Sequence, residues 1–514
     1  MNPTIHGNSL GDLLKRTTAR MPDKPALIWQ GQHDTFAQLD ALVNSCANAI
    51  AAHGIGKGDR VAMLAHNHRE FVIVHFALAR LGAISVPINY MLKAPDVAYI
   101  LNHSGAKGLV VEDVLIPVME EALAALEDAP DMRVRGLIRT GDAPEPAGWE
   151  WVGKWFEHPN AAPPAVEIAD EDCLQLLYTS GTESRPKGTM QCSRNLIAEY
   201  VSCVVDGDYS ENDIEIHALP LYHCAQAHCF LGPDIMLGAT SIILPNADAG
   251  TILQAIESEH ANKLFCPPTV WIALMRHPDF ETRDLSSLKK GYYGASIMPR
   301  PVLEELARRL PEVQLYNYYG QTEIAPVATV LKPDDQLRKL GSAGRACLNV
   351  ETLIVDDEDQ PVPTGTIGEI VHRSPQVMLG YWNDQPKTDA VFKNGWFHSG
   401  DLAYVDEEGF IFVVDRKKDM IKTGGENVAS REVEEAIFRH PAVAEVTVFG
   451  IPHPKWIEAV TAVVVAKDGA EVTVEELLAY GREHLSAYKA PKYAAVVEAL
   501  PKNASGKILK RDLR

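Results

Sequence analysis

The sequence predicts an α/β protein that ends in an α+β segment: a large N-terminal domain of α/β subdomains, then a small C-terminal α+β domain. Three observations carry this. Strand and helix signals alternate early in the chain, a compact block of strand and helix signals follows residue 415, and the composition is that of a chain with a sizeable core. The 514 residues are 46% hydrophobic and 23% charged, near the average for folded soluble domains. Their length allows about three units of ordinary size.

Thr35 and Gln38 form a capping box, and Phe36, Leu39, Leu42, Val43, Cys46 and Ile50 recur at helical spacing until Gly54 stops the run. A strand is expected over Arg60 to Ala65, a helix from His68 to Leu81 and a strand from Ile84 to Pro87, a β-α-β order that implies parallel pairing. The Pro-rich stretches Ala143 to Gly148 and Pro159 to Ala165 read as exposed linkers between lobes. A boundary is expected near Asp415 to Lys418. Beyond it, Ser430 is expected to cap a helix, Glu445 to Ile451 and Ala459 to Ala466 read as strands, Thr473 with Glu476 caps another helix, and Ala494 to Val497 is a last short strand.

Lys plus Arg number 48 against 69 Asp plus Glu, a net charge of −21. That excludes a nucleic-acid binder, which carries a basic surplus, and leaves room for a local basic site. The eight cysteines form no CxxC pair, so a reduced chain without a disulfide frame is expected. The N-terminus shows no apolar core of a signal peptide. Apolar stretches such as Ala459 to Ala466 fall far below the roughly 18–20 residues of a membrane span. The C-terminal KRDLR carries no lipidation or peroxisomal signal. The expected location is the cytoplasm, with no integral membrane contact.

Five segments carry chemistry. Tyr178-Thr-Ser-Gly-Thr-Glu-Ser-Arg-Pro-Lys-Gly-Thr-Met190 follows the apolar run Leu174 to Leu177. It offers hydroxyls at Thr179, Ser180, Thr182 and Ser184, glycines at Gly181 and Gly188, and a cation at Lys187. Such a loop suits phosphate, because glycines let backbone N–H groups approach and a lysine adds charge. It lacks the Walker pattern, and its plain alternative is a polar surface loop. In Tyr316-Asn-Tyr-Tyr-Gly-Gln-Thr-Glu323, aromatics beside a glycine can stack on a flat base. Thr322 can donate to a phosphate, and Glu323 can hold Mg²⁺. The alternative is an aromatic strand end. Asp401, in Gly395-Trp-Phe-His-Ser-Gly-Asp401, suits ribose hydroxyls or a simple Asx turn. Asp415-Arg-Lys-Lys-Asp-Met-Ile-Lys-Thr-Gly-Gly-Glu-Asn427 brings charge and glycine to the domain boundary, or is a solvated linker. Pro501-Lys-Asn-Ala-Ser-Gly-Lys-Ile508 sets a lysine on a glycine-containing loop that could reach a cleft, or is a basic tail.

Together, and in this order, these segments resemble the adenylate-forming enzyme superfamily, the AMP-binding enzymes, over nearly the whole chain. The superfamily includes acyl- and aryl-CoA synthetases, peptide-synthetase adenylation domains and firefly-type luciferases. The resemblance implies an adenylation domain over 1–415 and a mobile domain over 416–514 that carries a catalytic lysine. It implies two half-reactions: a carboxylate attacks the α-phosphate of Mg-ATP, and a thiol then displaces AMP. ATP and CoA would be co-substrates and Mg²⁺ the cofactor. Thr179, Ser180, Gly181, Thr182, Glu183 and Lys187 would hold the phosphates, with Thr182 counted among the catalytic groups. Tyr319 and Gly320 would receive the adenine, Thr322 the α-phosphate, Glu323 the metal, and Asp401 with Arg416 the ribose. Lys507 would bridge the carboxylate and the α-phosphate. Lys418 matches the hinge position, and Gly424, Gly425 and Glu426 the CoA side.

Pro220-Leu-Tyr-His-Cys-Ala-Gln-Ala-His228 resembles the family's acid-site motif, with His223 at the pocket mouth. Gly291-Tyr-Tyr-Gly-Ala-Ser296 would supply Tyr293, Gly294 and Ala295 to the other wall, its small residues leaving room for a long or flat acyl group. No aspartate stands between Pro220 and Phe230 to pair with an amino group, and no insertion of the acyl-AMP ligase kind fits between Asp415 and Arg514. The expected function is an AMP-forming carboxylic acid–CoA ligase for a medium- or long-chain fatty acid. The alternatives are an aryl or arylpropenoic acid, or loading of a carrier protein. A homodimer is the expected oligomer. His217, His223, Cys224, His228 and Cys229 match no zinc spacing and read as pocket lining or core. The chain departs from the family at two places: Glu183-Ser184 replaces Thr-Gly, and Ile457 stands where many members have Gly.

Overall fold

The structure, a computed structural model, describes residues 7–126, 131–142, 144–179, 185–294, 296, 298–502 and 508–514. The chain divides into two compact units, Met1–Glu351 with Arg373–Ala390, and Thr352–His372 with Val391–Arg514.

Among the described residues of the first unit, one sheet has eight strands. Its order is Gly380–Tyr381, Lys187–Cys192, Cys173–Thr179, Ile84–Ile88, Arg60–Leu64, Gly108–Glu112, Val134–Ile138 and Glu150–Trp151. The helix Phe36–Ala52 begins at the Thr35 capping box. The helix Arg69–Leu81, with His68 as its N-cap, crosses between the parallel strands Arg60–Leu64 and Ile84–Ile88. Those central strands are buried along almost their whole length, which is why they read as apolar runs rather than alternations. A second sheet has nine strands, with Gln314–Gly320 between the parallel Lys290–Gly294 and the antiparallel Val327–Leu331. The parallel strands follow the α/β expectation.

The two Pro-rich stretches are corrected. They are largely exposed, but they do not join lobes. One leads from Val134–Ile138 to Glu150–Trp151, which pair in the same sheet. The other leads from the 3₁₀ turn Val152–Glu157 back to Cys173–Thr179 in that sheet. Proline density marks an exposed path and does not reveal where the path returns.

The second unit holds two five-stranded sheets among its described residues. In one, Trp396–Val405 pairs antiparallel with Ile411–Arg416. In the other, the long strands Val443–His453 and Ile457–Ala466 pair along their length. Thr423 pairs with Ile457 at one end, and Tyr493–Val496 adds a parallel strand. Helices Ser430–Phe438 and Val474–His484 complete the α+β segment. Thr473 and Glu476 form their capping box. Ser430 is a correction: the N-cap is Ala429, and Ser430 is the first helical residue. Its N–H donates to Asp415 (2.5 Å) and its hydroxyl accepts from Lys510 (2.9 Å).

Burial also sets a pH-dependent cost. Glu70 is 7% exposed, and its carboxyl accepts from the Trp151 indole N–H at 3.2 Å. Burial pushes its pKa from the ordinary 4.5 up to about 7. Between those values the folded chain keeps a proton that the unfolded chain has released. Its contribution is therefore fullest below the lower value and is lost as pH rises through the upper one. The shift corresponds to about 3 kcal/mol at most. Glu70→Gln is expected to be more stable than the parent at pH 8 and equal to it near pH 5, as read from urea midpoints at both values.

Candidate active site

The phosphate segment is a β-hairpin in the first unit. Thr179 stands opposite Lys187 across the antiparallel pair Cys173–Thr179 and Lys187–Cys192. Ser180, Gly181, Thr182 and Glu183 lie outside the described residues. Lys187 is half-buried, and its Nζ lies 4.7 Å from the centroid of the Tyr381 ring, within the range of a cation–π contact.

The strand Gln314–Gly320 brings the next group. Tyr319 is half-buried and pairs with Thr329, followed by an irregularity at Gly320. A Cβ on Gly320 would stand 1.8 Å from the Pro326 carbonyl oxygen, so no side chain fits there. The chain then enters the 3₁₀ turn Thr322–Ile324. The Thr322 carbonyl accepts from Gln191 Nε2 at 2.7 Å, and its hydroxyl lies 3.3 Å from Cys224 Sγ. Glu323 is held twice: its carbonyl accepts from Met378 N at 2.8 Å, and its Oε1 accepts from the Tyr381 hydroxyl at 2.8 Å.

His223 is the N-cap of the short helix Cys224–Gln226, and its Nδ1 accepts from Ala225 N at 3.1 Å. The Pro220–His228 segment thus meets the Thr322–Ile324 turn through Cys224. Burial pushes the Cys224 thiol up to about 12. On the strand Lys290–Gly294, Tyr293 is buried within a hydrophobic cluster, and its hydroxyl donates to Gln336 Oε1 at 2.6 Å. A Cβ on Gly294 would meet the Tyr318 carbonyl oxygen at 2.6 Å, so close approach of the neighbouring strand accounts for this glycine. Ala295 lies outside the described residues.

The other histidines of that segment are buried in the protein. His217 Nδ1 lies 2.8 Å from Gln226 Nε2, and His228 is held between the Ala325 carbonyl and the Gln175 amide. Among the described residues two buried groups have metal-like proximity, Glu199 with Cys203 and Cys229, and Glu215 with His217 and Asp234. The Lys263 ammonium already neutralises the second, 2.6 Å from Glu215 Oε2 and 2.7 Å from Asp234 Oδ1.

In the second unit, Asp401 and Arg416 face each other across paired strands, with Arg416 Nε 3.3 Å from Asp401 Oδ1. Lys418 is exposed in the following turn. Gly424 and Gly425 form the tip of a hairpin, both with positive φ (+62° and +91°), and Thr423 pairs with Glu426. Glycine tolerates this geometry where other residues pay strain. Ile457 has φ +71° and is 67% exposed, an unusual backbone for a β-branched residue and one that glycine adopts without strain. Lys507 lies outside the described residues.

The structure thus brings Lys187 and Glu323 to one tyrosine, sets Thr322 against the acid segment, and pairs Asp401 with Arg416 in its own unit. Sequence reading missed Tyr381 and Gln191. Tyr381 follows Gly380 and precedes Trp382, an aromatic pair beside glycine like Tyr318-Tyr319-Gly320, but it is 58 positions from Glu323.

Comparison with known proteins places these residues in a family. The AMP-binding enzyme model matches residues 14–382, and the AMP-binding enzyme C-terminal domain model matches 432–507. The chain is 36% identical over 511 residues to a feruloyl-CoA synthase of Amycolatopsis sp, covering 99% of each chain. It is 35% identical over 480 residues to the long-chain-fatty-acid–CoA ligase FadD13 of Mycobacterium tuberculosis, covering 93% of this chain and 92% of that one. The solved O-succinylbenzoate coenzyme A synthetase (MenE) from Bacillus subtilis, in complex with ATP and magnesium ion, matches with a TM-score of 0.85 at 30% identity, covering 98% of both chains. The chain therefore belongs to the AMP-binding enzyme family, among its AMP-forming acid–thiol ligases.

Proposed function

We propose that the chain joins a medium- or long-chain fatty acid to CoA through an acyl-adenylate, converting ATP to AMP and pyrophosphate. The observation that carries this reading is the 3.3 Å contact between Cys224 and Thr322. It sets the segment assigned to the acid directly against the residue assigned to the α-phosphate, where an attacking carboxylate has to be positioned. The name of FadD13 supports a long-chain acid. The 36% identity to a feruloyl-CoA synthase supports a second reading, an arylpropenoic acid. The eight unpaired thiols fit a reducing compartment such as the cytoplasm.

In this reading Thr179, Ser180, Gly181, Thr182, Glu183 and Lys187 hold the β- and γ-phosphates. Tyr319 and Gly320 take the adenine, and Thr322 donates to the α-phosphate. Asp401 accepts from the ribose hydroxyls, and Arg416 holds Asp401 in place. His223, Tyr293, Gly294 and Ala295 belong to the acid side. The Glu323 carboxylate and the Thr322 hydroxyl are oxygen donors one residue apart, which fits Mg²⁺, an ion that takes few protein ligands beside substrate phosphates. When bound, the ion supplies charge neutralisation to the polyphosphate. The functional boundary is placed at 415/416, with Lys418 as hinge. Gly424, Gly425 and Glu426 serve the thiol half-reaction, and Lys507 serves the first.

The test is pyrophosphate release from purified protein with ATP, Mg²⁺ and a panel of fatty, arylpropenoic, aryl and short acids, with and without CoA. CoA-dependent turnover confined to medium- and long-chain fatty acids supports the proposal. Turnover confined to arylpropenoic acids selects the second reading. Pyrophosphate release with no acyl-CoA product overturns both in favour of transfer to a carrier protein.

A further inference from the structure

Residues 378–382 run beside the phosphate hairpin and the metal-side carboxylate at once. Leu379 N donates to the Met190 carbonyl at 3.0 Å and Trp382 N to the Gly188 carbonyl at 2.7 Å. Gly380 and Tyr381 pair antiparallel with Met190 and Thr189. This fixes the backbone of Tyr381 to the strand that begins at Lys187. Its N–H also donates to Thr388 Oγ1 at 2.9 Å, and the residue is 5% exposed. The side chain is therefore rigid. Its ring lies under the Lys187 ammonium at 4.7 Å, and its hydroxyl donates to Glu323 Oε1 at 2.8 Å. Met378, three residues earlier, holds the Glu323 backbone.

We propose that Tyr381 is a positioning residue for the metal–nucleotide complex: its hydroxyl fixes the Glu323 carboxylate by one oxygen, leaving the other for the cation, while its ring fixes Lys187. The proposal rests on the reading of Glu323 as the metal-side carboxylate. A glutamate has three rotatable torsions, and an unrestrained carboxylate loses that freedom each time a cation binds. A hydrogen bond from a buried, rigid phenol removes the freedom beforehand, and a charged acceptor makes that bond a strong one. The ring acts differently. A cation over its face keeps the ammonium near the strand end where the phosphate loop departs. One residue thus sets the spacing between the cation and the anion that would flank the polyphosphate.

The two halves of the side chain are separable. Tyr381→Phe keeps the ring and removes the hydroxyl, whereas Tyr381→Leu removes both. Three measurements apply to the full-length protein: ATP binding by calorimetry in EDTA, the same in Mg²⁺, and the Mg²⁺ concentration for half-maximal pyrophosphate release. Thermal unfolding without ligand confirms that each variant is folded. Tyr381→Phe is expected to bind ATP in EDTA as the parent does, to bind it about tenfold more weakly in Mg²⁺, and to need about tenfold more Mg²⁺, with the acid KM unchanged. Tyr381→Leu is expected to weaken binding in EDTA as well. An unaltered Mg²⁺ requirement in Tyr381→Phe overturns the proposal. So does a loss spread equally over EDTA binding, Mg²⁺ binding and acid KM, which is what a loosened structure gives. Glu323→Gln separates the underlying reading. A raised Mg²⁺ requirement in Glu323→Gln beside a normal one in Tyr381→Phe rejects Tyr381 alone. No change in Glu323→Gln removes the metal assignment, and the proposal with it.

Discussion

Lys507→Ala is expected to lower adenylate formation by about 10²–10³-fold while leaving thioester formation from supplied acyl-adenylate within a few-fold of the parent. The magnitude is that of removing one preorganised charge from a site where negative charge develops. The lysine is assigned to the first half-reaction only, in which a carboxylate and the α-phosphate approach each other with like charge. A cation between them is needed there, and it has no such task when a thiol attacks the uncharged carbonyl carbon of the mixed anhydride. The assay separates the steps: pyrophosphate release with ATP and acid reports the first, and CoA consumption with synthetic acyl-adenylate reports the second. Lys502→Ala, a change to a nearby lysine paired with Glu445 at 2.5 Å, controls for general loss of positive charge. An equal fall in both half-reactions would show that Lys507 supports the fold or the shared substrate instead.

Lys263→Met carries the largest expected effect on stability. Lys263, Glu215 and Asp234 have fully buried side chains, and the ammonium touches both carboxylates and lies 3.2 Å from the Tyr209 ring centroid. Burial raises Glu215 well above the usual carboxylate range, while Asp234 is held low, at about 2, by Lys263 and His217 against the opposing effect of burial. One ammonium, one carboxylate and one protonated carboxyl then sum to no net charge, which a dry interior tolerates. Removing the ammonium leaves Asp234 uncompensated, at a cost of about 3–5 kcal/mol. The carboxyl escapes part of that cost by taking a proton, so its folded pKa in the variant lies above the unfolded one, and the deficit grows as pH rises. The urea midpoint of Lys263→Met should therefore fall further below the parent at pH 8 than at pH 5.5. Lys263→Met/Asp234→Asn should recover part of the loss at pH 8. A deficit independent of pH would place the effect in packing against Tyr209 and Phe230 rather than in charge.

The readings that succeeded from sequence are those whose causes lie within a few residues. The capping boxes at Thr35 and Thr473 depend on partners three positions away, and the buried strands at Arg60–Leu64 and Ile84–Ile88 announce themselves by unbroken apolar runs. The pairing of Asp401 with Arg416 is not among those readings, which join the two residues only through the resemblance; one antiparallel turn sets them opposite each other. What failed depends on distant partners. Ser430 looks like a cap, yet its backbone and hydroxyl are engaged by Asp415 and Lys510, 15 and 80 positions away. Gly294 also has a second reason to be glycine that the sequence does not show, the neighbouring strand's Tyr318 carbonyl. Tyr381 carries no local sign of the carboxylate that it holds.

The cysteine beside Thr322 bears on chemical selectivity. An acyl-adenylate reacts readily with thiolates, and in the proposed reading Cys224 stands beside the residue that meets the α-phosphate. Cys224 is 3% exposed, and burial pushes its thiol far above the usual range, which keeps it in the weakly nucleophilic protonated form at neutral pH. The incoming thiol is ionised more readily, since an unperturbed thiol titrates near about 8.5. If the acyl-adenylate forms beside Thr322 as proposed, burial of Cys224 would favour attack by a solvated thiol over self-acylation, with no residue devoted to blocking it.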